Sequence, residues 1–254
     1  MYKNFDLTGK YALVVGGVGG IGKALTIGLA QAGADVAIAD LNLAAYPEVE
    51  KEIKAIGKKC MSVQVDVTSA KSAEDCVAAV LKNYPRIDIL VNAHGIAIRK
   101  PAETFPIEEF RKVLDINTTG TFVMCQAVGK VMIKQKYGKI INLSSVRGEY
   151  GLPADYAAYC ASKGAVNTLT KTLACEWAKN NVLVNAIGPT IVETELTKTA
   201  LADPDYAKRM ASRIPLGRWA KTTDLVGPVL FFASTASDFV TGQILYIDGG
   251  VTTW

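Results

Sequence analysis

Two hydrophobic rhythms alternate along the chain. Short apolar runs fall at 11–15, 35–39, 60–65, 87–91, 139–143, 182–187 and 244–247. Runs of this length, bounded by Gly, Asn and Asp, predict strands. Between them, apolar residues recur three and four apart, which predicts helices. One covers 20–32, with Ile21, Ala24, Leu25, Gly28 and Leu29 in phase and Gly33 as its stop. Others cover 44–56, closed by Gly57, and a stretch capped by Thr68 or Ser69 that runs to Asn83. A long helix is expected over 107–135. Another is expected over 155–179, where Val166, Leu169, Leu173 and Trp177 form one stripe and Asn180-Asn181 suits a left-handed cap. The last covers 224–233, with Pro228 expected to disturb its first turns. Residues 190–218 are poorly periodic, polar and charged, and predict a mobile substrate lid.

Strands alternating with helices at this spacing imply parallel strands joined by crossover helices. The strands are apolar almost throughout, as a sheet covered on both faces requires. The expected architecture is α/β: a single doubly wound Rossmann domain over 1–254 with a seven-stranded parallel sheet. Ligands in such sheets bind outside the carboxyl ends of the strands, so the residues after each strand matter most.

Composition narrows the function classes. Of 254 residues, 50% are hydrophobic and 20% charged, which excludes a disordered chain. The net charge of +4 is spread without a Lys/Arg block, so neither a nucleic-acid nor a membrane partner is expected. No apolar run approaches the roughly 18 residues of a membrane helix, and the polar start, Met1 to Lys10, lacks the apolar stretch of a secretory signal. Cys60, Cys76, Cys125, Cys160 and Cys175 form no C-x-x-C pair. Reduced thiols and a cytoplasmic location are expected. With His94 as the one histidine, no metal site is expected.

Chemistry gathers at the predicted strand ends. The first run leads into Gly16-Gly17-Val18-Gly19-Gly20-Ile21-Gly22, which opens a helix. A loop without side chains exposes its backbone N–H groups, and the helix N-terminus adds positive potential, so a pyrophosphate fits. Asp40 follows the second strand, about 20 residues on, where a carboxylate accepts from a ribose diol and repels a 2′-phosphate. Leu41 follows it, so NAD is expected over NADP. Tyr159 and Lys163 are four apart and share a helix face. A cation beside a phenol favours its ionised form and suits it to acid–base work. Tyr156 has Cys160 at the same offset and lacks that help.

These segments resemble the short-chain dehydrogenase/reductases of about 250 residues over essentially the whole chain, and within them the polyol and sugar dehydrogenases. The resemblance rests on Gly16-x-x-x-Gly20-Ile21-Gly22, Asp66-Val67, Asn92-Ala93-His94-Gly95, Asn117, Leu143-Ser144-Ser145, Tyr159-x-x-x-Lys163, Asn185 with Pro189, Thr194, Pro215-Leu216-Gly217-Arg218 and Asp248-Gly249-Gly250. It implies a catalytic set of Asn117, Ser145, Tyr159 and Lys163. Tyr159 would exchange the substrate proton, Lys163 would lower the Tyr159 pKa and hold the nicotinamide ribose, and Asn117 would hold a water. Ser145, in preference to Ser144, would bond the reacting oxygen. NAD would be held by Gly16, Gly20, Ile21, Gly22, Asp40, Asp66, Val67, Asn92, Gly95, Tyr159, Lys163, Pro189 and Thr194. Val15 replaces the usual Thr, Asn92-Ala93-His94-Gly95 replaces Asn-Asn-Ala-Gly, Pro189-Thr190 replaces Pro-Gly, and the Ser145–Tyr159 spacing is one residue longer than common.

The expected substrate is a small polar alcohol, a polyol, sugar or sugar acid, contacted by His94, Ser145 and Arg147. Arg147 has the alternative of pairing with Glu149 or Asp155 at the surface. A carrier-linked 3-oxoacyl reductase and a non-catalytic dinucleotide sensor are the competing readings. Asp40 argues against the first and the intact Tyr159/Lys163 pair against the second. The resemblance also implies a homotetramer, built on the 155–179 helix and an apolar C-terminus with Trp254 reaching a neighbour.

Overall fold

Strand alternation assigns each apolar residue to one of two layers. In β1 (Tyr11–Val15), Leu13 and Val15 face one layer while Ala12 and Val14 face the other. β2 (Asp35–Asp40) divides in the same way, with Ala37 and Ala39 on one side and Val36 and Ile38 on the other. Both layers are dry, so both faces of the sheet need helical cover. The computed structural model describes residues 3–151, 155–195, 197–198 and 202–253, with Tyr206 in backbone only.

The sheet continues with β3 (Cys60–Gln64), β4 (Ile89–Asn92), β5 (Gly138–Leu143), β6 (Val182–Pro189) and, after two short strands, β9 (Ile244–Ile247). All neighbours are parallel, in the order β3-β2-β1-β4-β5-β6-β9. The order reverses between β1 and β4, which opens a crevice at their carboxyl ends. On one face, α1 (Gly20–Gln31), α2 (Tyr46–Ala55) and the apolar helix Val226–Ala233 contribute Leu25, Leu29, Val49, Ile53, Val229 and Phe232. On the other, α3 (Ala70–Asn83), α5 (Gly120–Gln135) and α6 (Ala157–Trp177) contribute Val77, Val80, Met124, Val128, Met132 and Leu173. α4 (Ile107–Leu114) leads into α5 through one π-helical turn, Asp115–Thr119.

Several expected boundaries move. α6 begins at Ala157 because Asp155 is left-handed, at φ +61°. It ends as the sequence predicts, with Asn181 left-handed at φ +57°. Within the chain, Val166 and Leu173 of its stripe are buried, and Leu169 and Trp177 are half-buried against the core that holds Leu173. Pro228 is the third residue of its helix, where the N–H it lacks would have no intrahelical partner, so it disturbs nothing. Residues 190–218 contain β7 (Val192–Glu193), which pairs with β8 (Ala220–Lys221), and α7 (Pro204–Ala211), elements too short to leave a period in the sequence. The five cysteines are free thiols, and no helix among the described residues is long and apolar enough to cross a membrane. Trp254 lies outside the described residues.

The tightest packing lies under the first loop. A Cβ on Gly22 would fall 1.9 Å from the Gly16 carbonyl oxygen, whereas one on Gly19 would meet nothing within 4 Å. Gly22→Ala is expected to lower stability by about 1–3 kcal/mol, the usual cost of overpacking, and Gly19→Ala to change it little. Urea unfolding of the two variants checks this; equal midpoints would contradict the packing.

Candidate active site

β1 delivers the chain to Gly16, whose N–H donates to the Ala39 carbonyl at 2.7 Å. Gly16 and Gly20 are left-handed, at φ +77° and +53°. A Cβ on Gly16 would also strike the His94 backbone nitrogen at 2.9 Å, so this turn runs against the β4 loop. The Thr26 hydroxyl donates to the Gly17 carbonyl at 3.2 Å from a buried position and ties the loop to α1. Gly19 is the N-cap of α1 and offers no side-chain acceptor to the first amides. Those amides, the bare loop and the helix dipole form a cradle that fits a pyrophosphate. Ile21 packs on the core beneath it.

Two carboxylates line the far end of the crevice. Asp40 ends β2 and accepts the Asn42 N–H at 3.2 Å; Leu41 beside it is 64% exposed. Asp66 accepts both the N–H and the hydroxyl of Thr68, at 2.9 and 2.7 Å, and these bonds hold its pKa below the usual carboxylate range. Val67 lies over Gly120, where a Cβ would meet it at 2.7 Å.

His94 is on the same side. Its Nε2 lies 3.3 Å from where a Gly120 Cβ would be, so the ring faces Val67 and the start of α5, at the Asp66-Val67 end of the crevice. Burial, reinforced by the Lys163 charge, pushes its pKa down to about 3, so the imidazole is neutral. Asn92 turns its side chain inward, donating to Asn142 Oδ1 at 2.9 Å and meeting Cys125 Sγ at 3.3 Å. It locks β4 to β5, and only its backbone stands at the strand end.

Asn117 is fully buried in the π turn. Its Oδ1 accepts the Ile96 N–H at 2.8 Å, and its Nδ2 donates to the Ile96 carbonyl at 2.9 Å and to Ser162 Oγ at 3.0 Å. The extra residue of a π turn carries this side chain into the interior. Gly95 lies beside it, where a Cβ would be 3.1 Å from Asn117 Oδ1 and 3.6 Å from Lys163 Nζ.

Tyr159 and Lys163 occupy one face of α6, with Lys163 Nζ 5.7 Å from the centre of the Tyr159 ring. Lys163 Nζ donates to the Leu143 carbonyl at 2.6 Å. Burial lowers its pKa to about 8. Burial likewise pushes Tyr159 up, while the Ser145 hydroxyl, by hydrogen bonding, and the Arg147 charge pull it back. Desolvation thus dominates both partners, and the phenol is helped first by Ser145 and not by the lysine. Ser145 lies 6% exposed and donates to the Pro189 carbonyl at 3.3 Å. Ser144 is spent in the interior, donating to Asn167 Oδ1 at 2.5 Å, which leaves Ser145 as the serine beside Tyr159. Tyr156 caps α6, with Arg99 stacked 4.9 Å over its ring. Thr194 stands next to Gly20 and donates its N–H to Thr197 Oγ1 at 2.9 Å.

A supporting network escaped sequence reasoning. Asn142 donates to Thr170 Oγ1 at 3.0 Å, and Asn167 donates to the Tyr246 hydroxyl at 3.2 Å, which donates to Glu149 at 2.7 Å. These bonds brace β5 and β9 against α6. The available signal was asparagine inside apolar strands: Asn92 and Asn142 are direct neighbours in register, and Asn185 follows one strand on.

The cleft thus offers a dinucleotide cradle at one end and a Ser–Tyr–Lys group at the other, its tyrosine half-buried, which suits proton transfer at an alcohol or carbonyl. Residues 16–252 match a family profile described as enoyl-(acyl carrier protein) reductase. The chain is 38% identical over 248 residues to gluconate 5-dehydrogenase of Gluconobacter oxydans, covering 98% of this chain and 96% of that one. It is 39% identical over 255 residues to the NAD-dependent glycerol dehydrogenase of Listeria innocua, covering 98% and 96%. Among solved structures, a gluconate 5-dehydrogenase from Burkholderia cenocepacia in complex with NADP and tartrate superposes with a TM-score of 0.94 at 36% identity, covering 99% and 98%. By sequence, fold and the arrangement of its site, the chain belongs to the short-chain dehydrogenase/reductase family.

Proposed function

We propose that the protein is an NAD-preferring dehydrogenase that oxidises a secondary alcohol of a small polyol, sugar or sugar acid to the ketone. The observation that carries this reading is the half-buried Tyr159 paired with buried Lys163 beside Ser145, set across the sheet ends from the open glycine loop. The names of the relatives, gluconate and glycerol dehydrogenases, support a polar alcohol as substrate. A nicotinamide dinucleotide, when bound, supplies the hydride acceptor. The glycine loop and the α1 amides would hold its pyrophosphate, Asp40 its adenosine ribose, and Lys163 its second ribose. The chain itself handles the proton. Ser145 fixes the reacting oxygen, and Tyr159 accepts its proton during oxidation and returns it during reduction. Asn117 touches neither; it positions Ile96 and Ser162.

Asp40 supports NAD over NADP. Its carboxylate ends β2 without a neighbouring cation in the next position, where exposed Leu41 stands. The Burkholderia relative binds NADP, so cofactor choice varies among similar chains and turns on local charge.

Three outcomes test the reading. Tyr159→Phe is expected to lower kcat by about a hundred- to ten-thousand-fold with the melting temperature retained, and Tyr156→Phe by far less. Equal losses in steady-state assays would contradict the assignment. The first proton leaves the Tyr159–Lys163 pair near 8, the value to which burial brings Lys163. The deprotonated pair accepts the alcohol proton, so oxidation rises with pH through about 8 while ketone reduction falls. A profile that is flat or reversed overturns this. The third concerns Asp40: the wild type should favour NAD in kcat/KM, and Asp40→Ser should shift the ratio toward NADP by about tenfold or more, about 1.4 kcal/mol of lost repulsion. A wild-type preference for NADP would sink the role given to Asp40.

A further inference from the structure

Two residues past Ser145 the chain carries a guanidinium into the cleft wall. The Arg147 N–H donates to Ser145 Oγ at 3.1 Å, so arginine and serine share one short 3-10 turn, Val146–Gly148. The guanidinium carbon lies 5.0 Å from the centre of the Tyr150 ring, a stacking that limits its directions. Its Nη1 is shielded from solvent and has no hydrogen-bond partner among the described residues. A buried charged donor left without an acceptor is destabilising.

The carboxylates expected to satisfy it do not. Glu149 accepts instead from the Tyr246 hydroxyl at 2.7 Å, and no ion pair among the described residues joins Arg147 to Glu149 or Asp155. The surface pairing that the sequence left open is therefore not formed. The Arg147 charge acts on the Tyr159 phenol, so the orphaned donor and the proton-transfer group belong to one cleft. The other carboxylates of the crevice, Asp40 and Asp66, stand at its opposite end, after β2 and β3.

We propose that Arg147 is a specificity-determining residue that receives the carboxylate of an aldonic-acid substrate and so favours sugar acids over uncharged polyols. The proposal rests on the alcohol-oxidising reading above. A carboxylate presents paired oxygens to the guanidinium fork in a charge-assisted bond, whereas a hydroxymethyl group offers one neutral acceptor. The acid group and the hydroxyl being oxidised lie at different positions of one short chain, so Arg147 and Ser145, joined through a single turn, hold the two together.

D-gluconate and D-glucitol form a matched pair that differs only in carboxylate against hydroxymethyl at one end. With saturating NAD, the wild type should favour gluconate in kcat/KM by at least tenfold. Arg147→Gln should cut that gluconate-to-glucitol ratio at least tenfold, and Arg147→Lys, which keeps a point charge without the fork, should fall between. A ratio unmoved in Arg147→Gln, or a wild type that favours glucitol, overturns the proposal. Calorimetric titration of gluconate into the NADH-loaded protein reads the same contact without turnover, and Arg147→Gln should weaken that binding at least tenfold. If neither compound is oxidised but gluconate binding still depends on Arg147, the oxidation reading fails and the carboxylate subsite stands. If gluconate binding ignores Arg147, the subsite falls whatever the activity.

Discussion

The side-chain amide of Asn117 joins three separate parts of the chain at one buried point. One oxygen and one nitrogen close a pair of bonds on the Ile96 backbone, at 2.8 and 2.9 Å, and the same nitrogen reaches Ser162 on α6 at 3.0 Å. A primary amide has a donor and an acceptor that can face one peptide unit at once, which a carboxylate or hydroxyl cannot imitate in full. The β4 loop is thereby fixed against α6 in the turn that also carries Tyr159 and Lys163. The π turn is the local condition for this. It adds a wider turn to the 107–135 helical run at Asn117, which is buried, while the backbone continues into α5 without a break.

Burial does the electrostatic work at the same place. Lys163 is 3% exposed and keeps one bond to the Leu143 carbonyl, so its charged form is disfavoured and its pKa comes down to about 8. Tyr159 moves the other way for the same reason. Burial thus moves the two apart in proton affinity, so that the pair gives up its first proton near 8, at the value to which the lysine is brought, while the phenol is held high. Each remaining neighbour then trims the balance: Ser145 by a hydrogen bond and Arg147 by its charge. The packing of α6 on the sheet is thus also the setting of the site's chemistry.

The fold was legible because a strand covered on both faces leaves a short continuous apolar run, as in β1, and a helix with one buried face leaves a 3.6-residue period, as in α3. The seven strands and their alternation with helices follow from that. What escaped was shorter than a period, such as β7 and β8, or depended on one backbone angle, such as the left-handed Asp155 that delays α6. Within the site, strand ends and the Tyr159/Lys163 spacing could be read directly. Side-chain direction could not: Asn92 stands at a strand end yet turns into the core, and His94 lies toward Val67 and α5. The Ser144–Asn167–Tyr246–Glu149 chain joins residues far apart in sequence, and no local pattern encodes such bonds.

The central claim is that the Asn117 amide holds the β4 loop and the catalytic turn of α6 as one unit. Hydrogen exchange followed by mass spectrometry on wild type and Asn117→Ala tests it most directly. The account predicts faster exchange in segments covering 93–98 and 158–164, with β1 and β6 as protected as before. Unchanged exchange in both segments, or a loss of protection spread evenly over the sheet, would contradict it.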